Sequence, residues 1–199
     1  MRVLITGATG LIGRTLNGYL RGKGVETVSL VRKPPVPSDP SRIYWDPDNR
    51  VLNPHDLEHF DAVVHLAGEN IAAGRWTVER KRRIFDSRFK GTSLLCTALA
   101  ACDAPPKVAV SASAVGYYGD RGDEVLEESA GPGRGFLAET CRAWEGSAQP
   151  LTAAGIRTIF LRTGMVLSPS GGALERMLLP YRLGVGGPIG LGQRWMSWI

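Results

Sequence analysis

The chain has 199 residues, 24 of them Lys or Arg against 19 Asp or Glu, for a net charge of +5, and it is 43% hydrophobic. That size supports one domain with a real core, and the balance excludes disordered and fibrous chains. No stretch reaches the roughly 20 apolar residues of a membrane-crossing helix, and the opening residues lack the basic-then-apolar pattern of a signal peptide. Three cysteines, Cys96, Cys102 and Cys141, form no C-x-x-C pair. They read as buried thiols, so a cytoplasmic protein with no membrane partner is expected. Glycine is over-represented, at 25 of 199 residues against a usual share of about 7%. It marks places where backbone turns sharply or approaches a ligand.

In chain order, residues 2–6 form a short apolar run that breaks into glycines, as a buried strand does. Leu11, Ile12, Leu16, Tyr19 and Leu20 then recur near helical spacing over 11–22. A β-rich run spans 25–31, a Pro-rich loop 34–40, and further short strands are expected at 43–45 and 62–66. Phe85, Phe89, Thr92, Cys96 and Leu99 place a long helix over 77–101. A fifth strand begins at Val108, after Pro105-Pro106; helix 135–154, strand 156–162 and helix 172–183 complete the alternation. This pattern predicts an α/β fold, a Rossmann-like, doubly wound parallel sheet with strand order 3-2-1-4-5-6, as one domain over 1–199.

Two features are read as coincidental. The cationic run Arg80-Lys81-Arg82-Arg83 reads as a solvated helix face, and no nucleic-acid partner is expected. His55-Asp56-Leu57-Glu58-His59 spells H-x-x-E-H but lies in a short connector rather than a helix, so no metal site is expected.

The first strand runs into Thr6-Gly7-Ala8-Thr9-Gly10-Leu11-Ile12-Gly13, a G-x-x-G-x-x-G with a strand before it and a helix after it. Gly7 makes the tight turn, Gly10 lets backbone N–H groups reach a pyrophosphate, and Gly13 permits close helix–strand packing. Thr9, Leu11 and Ile12 supply the rest of that phosphate-facing backbone at the helix start. An NAD-binding chain places Asp or Glu at the end of the second strand, whereas this one reads Val31-Arg32-Lys33. A carboxylate there would repel a 2′-phosphate and Arg32 would bind it, so NADP(H) is the expected cofactor, held by Arg32 and Lys33.

With TGATGLIG at 6–13, His65-Leu66-Ala67-Gly68 and Ser111-Ala112-Ser113-Ala114-Val115-Gly116-Tyr117-Tyr118-Gly119, the chain resembles extended short-chain dehydrogenase/reductases. Gly68-Glu69-Asn70-Ile71, Ser87-Arg88, Trp144-Glu145 and Gly186-Gly187-Pro188-Ile189-Gly190 narrow the resemblance to the atypical NAD-dependent epimerase/dehydratase-like branch called YfcH-like. The resemblance implies further cofactor contacts at Leu66, Ala67, Gly68, Glu69, Arg88 and Val166. For Glu69, a role as base and a role as ribose ligand both stay open. Arg88 stands where extended relatives carry Asn. The resemblance further implies that about 164–199 begins a substrate-side region continuing past the last residue.

Relatives of this kind exchange a proton through Tyr, with Lys four residues on and a Ser orienting the carbonyl. Here Phe136 or Leu137 stands in place of Tyr, and Thr140 or Cys141 in place of Lys. Ser113 survives, with Tyr117 and Tyr118 close behind it; Ser113 and Tyr117 are the catalytic candidates. Arg176, Arg182 and Arg194 flank the loop Gly184–Gly190, which suits a phosphorylated small molecule or a nucleotide sugar, or is simply a flexible turn. Two functions follow: an NADP(H)-dependent oxidoreductase or epimerase-like enzyme, and an NADP(H)-binding sensor or scaffold that has lost the chemistry. A homodimer is compatible with either.

Overall fold

The computed structural model describes residues 1–36, 39–187 and 195–199. Six strands, β1 (Arg2–Thr6), β2 (Glu26–Val31), β3 (Arg42–Tyr44), β4 (Ala62–His65), β5 (Val108–Ala114) and β6 (Arg157–Thr163), form one sheet. Every neighbouring pair is parallel and the order is 3-2-1-4-5-6, as the alternating pattern predicts. β1 reads as a nearly continuous apolar run because both of its faces are covered.

The connections are α1 (Leu11–Gly22), α2 (Val78–Ala100), α3 (Phe136–Gly146), α4 (Gln149–Ala153) and α5 (Gly172–Arg182). The chain winds from β1 out to β3, then crosses back to β4 and winds the other way. Right-handed crossovers therefore put α1 on one face and α2, α3 and α4 on the other. Thr77 caps α2 by accepting the Arg80 N–H at 3.2 Å. The buried side of α2, with Leu95, Cys96 and Leu99, packs on Leu4, Val28 and Val63 to form the main core. Burial pushes the Cys96 thiol up to about 12.

The helix expected over 135–154 is broken in two. The Ser147 hydroxyl donates to the Trp144 carbonyl at 2.6 Å, and Pro150 has no N–H to continue the ladder, so α4 starts afresh. A short strand, β7 (Leu167–Ser168), turns back on Gly171 and Gly172. The end of the described chain runs beside it: Met165 and Leu167 donate to the carbonyls of Ser197 and Ile199, each at 2.8 Å. Met165 and Trp198 form an isolated parallel bridge there, while Gln193 and Arg194 lie outside the described residues.

The H-x-x-E-H stretch forms one 3-10 turn over Pro54–Leu57. Glu58 accepts the N–H groups of Asp103 at 3.0 Å and Ala104 at 2.7 Å, and these bonds hold its carboxyl below the usual range. Among the described residues no three metal-ligating side chains cluster, and no helix is long and apolar enough to cross a membrane.

Candidate functional site

In a doubly wound sheet the ligand crevice lies at the carboxyl ends of the strands, where the winding reverses between β1 and β4. Here the backbone closes in on itself. Gly7 has φ +69°, and a Cβ there would lie 2.8 Å from the Leu66 carbonyl carbon and 2.9 Å from the Ala67 nitrogen. A Cβ on Gly13 would fall 2.2 Å from the Gly7 oxygen, so α1 approaches β1 only because that side chain is missing. Gly10 caps α1 without a side-chain bond, and the first turn of α1 carries no acid. Leu11, Ile12 and Gly13 therefore begin a helix whose leading N–H groups and dipole suit an anion. Thr9 is exposed beside them.

Beneath the crevice lies a polar group that the sequence did not announce. Thr6 Oγ1 accepts the N–H groups of Leu66 at 3.1 Å and Ala67 at 3.0 Å. Its own hydrogen therefore points to His65 Nδ1, 2.7 Å away. That leaves the ring hydrogen on Nε2, which donates to Thr92 Oγ1 at 2.8 Å. Burial holds the His65 pKa down to about 4, so the ring is neutral. One chain of bonds thus ties β1, β4 and α2 together directly under Leu66 and Ala67.

At the end of β2, Arg32 and Lys33 are exposed and make no ion pair among the described residues. Past β4, Glu69 pairs with Arg80 at 2.9 Å, and Arg80 also donates to the Asn70 carbonyl. The expectation of a solvated cationic face is thus corrected at Arg80, which is 9% exposed because the first turn of α2 faces the loop after β4. Arg82 and Arg83 are exposed, and Lys81 is half-buried with its ammonium 5.5 Å from the Phe136 ring centroid. Arg88 also points inward: its Nη1 donates to the carbonyls of Glu69 at 3.1 Å and Ile84 at 3.2 Å. Its guanidinium lies 5.0 Å from the Trp144 ring centroid. A Cβ on Gly68 would be 3.4 Å from its Cζ. Burial lowers the Arg88 pKa, opposed by Cys141 and Glu69.

The catalytic candidates lie further along the sheet. Ser113 is 4% exposed, and its hydroxyl donates to Glu145 Oε1 at 2.6 Å. Both oxygens of Glu145 are held by one edge of Arg162, Nε at 2.9 Å and Nη2 at 2.8 Å. Arg162 also donates to the Tyr118 hydroxyl at 3.0 Å and covers the Tyr117 ring with its Cζ 3.5 Å from the centroid. The Glu145 bonds drive the Arg162 pKa further up. Ser113 and Tyr117 belong to one network, but no hydrogen bond joins them among the described residues, and the hydrogen of Ser113 is committed to Glu145. Sequence reasoning missed Glu145 and Arg162 as partners because their meeting depends on strand register, with Ser113 opposite Arg162.

The geometry also separates the two alternatives on α3. A Cβ on Gly116 would lie 3.4 Å from Leu137 Cβ and 3.9 Å from Cys141 Sγ, so these two residues face the turn after β5. Phe136 instead packs edge-on against Trp76 at 5.7 Å, and Thr140 is buried with its hydroxyl on the Phe136 carbonyl. Burial raises the Cys141 pKa, so it remains a thiol.

Val166 lies beside the β7 hairpin, whose Gly171 and Gly172 rest on Leu11: added Cβ atoms would meet that side chain at 3.4 Å and 3.2 Å. Arg176 of α5 donates to the Ala72 carbonyl, and Arg182 ends the same helix. Arg194 lies outside the described residues. A shallow cavity of about 510 Å³ opens near Arg2, Arg42 and His59. It sits at the amino-terminal ends of the strands, the wrong end for a ligand of this fold.

Sheet order, glycine cradle and crevice define a doubly wound α/β protein with a glycine-rich first turn. The model of the NAD dependent epimerase/dehydratase family matches residues 3–184, and the chain belongs to that family. An epimerase family protein of Mycobacterium bovis, Mb2239, is 42% identical over 197 residues, 99% of this chain and 64% of its own length. The human epimerase family protein SDR39U1, solved with NADPH, superposes with a TM-score of 0.88 at 37% identity, covering 100% of this chain and 65% of that one. A nucleoside-diphosphate sugar epimerase from Corynebacterium glutamicum gives 0.83 at 41% identity, covering 100% of this chain and 41% of its own. The chain thus spans less than two thirds of the length of these relatives.

Proposed function

We propose that this chain is the dinucleotide-binding part of an NADP(H)-dependent oxidoreductase or sugar-nucleotide-epimerase-like protein. The observation that carries the cofactor choice is the end of β2, where Arg32 and Lys33 stand exposed without an acidic neighbour. Gly7, Gly10 and Gly13 fit a pyrophosphate at the start of α1, and Leu66, Ala67 and Gly68 form the wall opposite. The bound NADPH of the human relative supports this reading. When bound, NADPH supplies a hydride. The chain's own residues bind the phosphates, hold the second nucleoside against β4 and fix the polar groups around it. Residues from about 164 onward, with Arg176 and Arg182, begin the substrate side. A phosphorylated small molecule or nucleotide sugar is the substrate class, in keeping with the name of the Corynebacterium relative.

Titration with NADPH and NADH tests the cofactor directly. NADPH is expected to bind at least about tenfold more tightly, and Arg32→Ala to remove most of that difference, since a charge-assisted fork to phosphate is lost. Equal affinity for the two cofactors would sink the assignment.

For the chemistry, Tyr117 is the proton-exchanging candidate. Ser113 orients a carbonyl only when Glu145 releases its hydrogen. Single-turnover NADPH oxidation over a panel of carbonyl compounds and sugar nucleotides, repeated with Ser113→Ala and Tyr117→Phe, tests both roles. A specific observation favours the second reading, a sensor or scaffold: Leu137 and Cys141 give the turn after β5 no phenol and no ammonium. Tight NADPH binding without turnover on any compound would decide for it.

A further inference from the structure

Three arginines are drawn into the space between α2, α3 and the carboxyl ends of β4–β6, and two of them have a carboxylate. Arg80 has Glu69 and Arg162 has Glu145. Arg88 has none within ion-pair distance among the described residues. Its Nη1 rests on two neutral carbonyls, and the neighbouring Asp86 is paired with Lys90 at 3.0 Å. Cys141 supplies no negative charge, because burial keeps it a thiol. The Nε and Nη2 of Arg88 donate to no acceptor among the described residues, yet they are not sealed off as Arg80 Nε is. Gly68 lies against that edge, where a Cβ would be in ordinary van der Waals contact with Nη2 at 3.5 Å.

The location gives this surplus charge a consequence. In a doubly wound sheet the β1–β3 half takes the first nucleoside of a dinucleotide and the β4–β6 half takes the second. Arg88 stands behind Gly68, at the start of the second half. The two redox forms of a nicotinamide cofactor differ there by one unit of charge: the oxidised ring is a cation and the dihydronicotinamide ring is neutral. At an effective dielectric of about 20, a like charge several ångströms away costs more than thermal energy.

We infer that Arg88 makes this crevice selective for the reduced dinucleotide, through a guanidinium that is in ion-pair contact with no carboxylate among the described residues. The inference rests on the NADP(H) reading above. It assigns to a residue of α2 a control over redox state that neither the fold nor the glycine cradle requires.

Dissociation constants for NADPH, NADP⁺ and 2′-phospho-ADP-ribose, which lacks the ring, test it on the 199-residue protein. NADPH is expected to bind about tenfold or more tightly than NADP⁺. For a two-electron couple, a tenfold ratio raises the potential of the bound cofactor by about 30 mV. Arg88→Gln and Arg88→Met are expected to bring the ratio close to one, with 2′-phospho-ADP-ribose affinity changed less than about threefold. Arg88→Lys keeps the charge and most of the ratio. Circular dichroism checks that each variant is folded, and because a structural defect weakens both redox forms alike, the ratio reports the charge. A ratio near one in the unaltered protein, or a ratio unmoved in Arg88→Gln and Arg88→Met, overturns the inference while leaving the cofactor reading standing. Failure of all three probes to bind the unaltered protein overturns both.

Discussion

The residues that close the crevice work by what they lack. Gly13 is the sharpest case, because the atom that a Cβ would strike, the Gly7 oxygen, is backbone and cannot rotate away. Gly13→Ala is therefore expected to destabilise the fold by about 3 kcal/mol, at the upper end of ordinary overpacking. Urea unfolding reads that loss, and NADPH titration reads the accompanying loss of the phosphate cradle. A variant as stable as the parent would mean that α1 can shift at no cost. This position was legible in the sequence because glycine spacing between a strand and a helix has few other uses. Arg80 was not. Nothing in the run of cations distinguishes the one that folds inward, since its partner Glu69 lies 11 residues earlier in a loop reached only when α2 docks beside β4.

At the level of elements, α3 is fastened to the sheet by Glu145. It receives a hydrogen from Ser113 of β5 and a two-pronged contact from the Nε and Nη2 of Arg162 of β6, with the side chains of Arg162 and Glu145 only 18% and 11% exposed. Removing one member of such a pair strands the other charge in a poorly hydrated place. Glu145→Ala is thus expected to cost about 3–5 kcal/mol. A double-mutant cycle with Arg162→Met, read by denaturant midpoint, would show a coupling near zero if the pair were only a surface contact. Amide exchange along β6, an edge strand, should accelerate first. Alternating patterns predicted every strand of the main sheet and its order, because period and turn residues are local properties. The division of α3 from α4 escaped, since a Pro at the start of a helix and a Pro inside one read alike until the Ser147 hydroxyl turns to its own helix backbone. The partnership of Glu145 and Arg162 escaped for a different reason: register is fixed by the whole sheet.

For the molecule as a whole, the neutral His65 links stability to pH. The unfolded chain takes up a proton there near the ordinary value of 6.5, whereas the folded protein does so only at about 4. The histidine's contribution is therefore complete above that ordinary value and lost as pH falls through this window, by roughly 3 kcal/mol at the acid end. Unfolding free energies across the window should show this slope, and His65→Gln, which takes up no proton, should flatten it from a lower starting stability at neutral pH. A slope unchanged by that substitution would place the titration elsewhere. The hydroxyl of Thr6 stands at the head of this chain of bonds, accepting from two backbone amides of the next strand and donating to the ring. It acts as a spacer that fixes the gap between two strand ends before any ligand arrives. A dinucleotide entering that gap meets a wall already set, so little of its affinity is lost to ordering the protein. Thr6→Ser keeps both oxygen and hydrogen and should bind as the parent does, whereas Thr6→Val, nearly the same shape, would leave the Ala67 amide and a ring nitrogen to find new partners, the Leu66 amide keeping the Thr6 carbonyl.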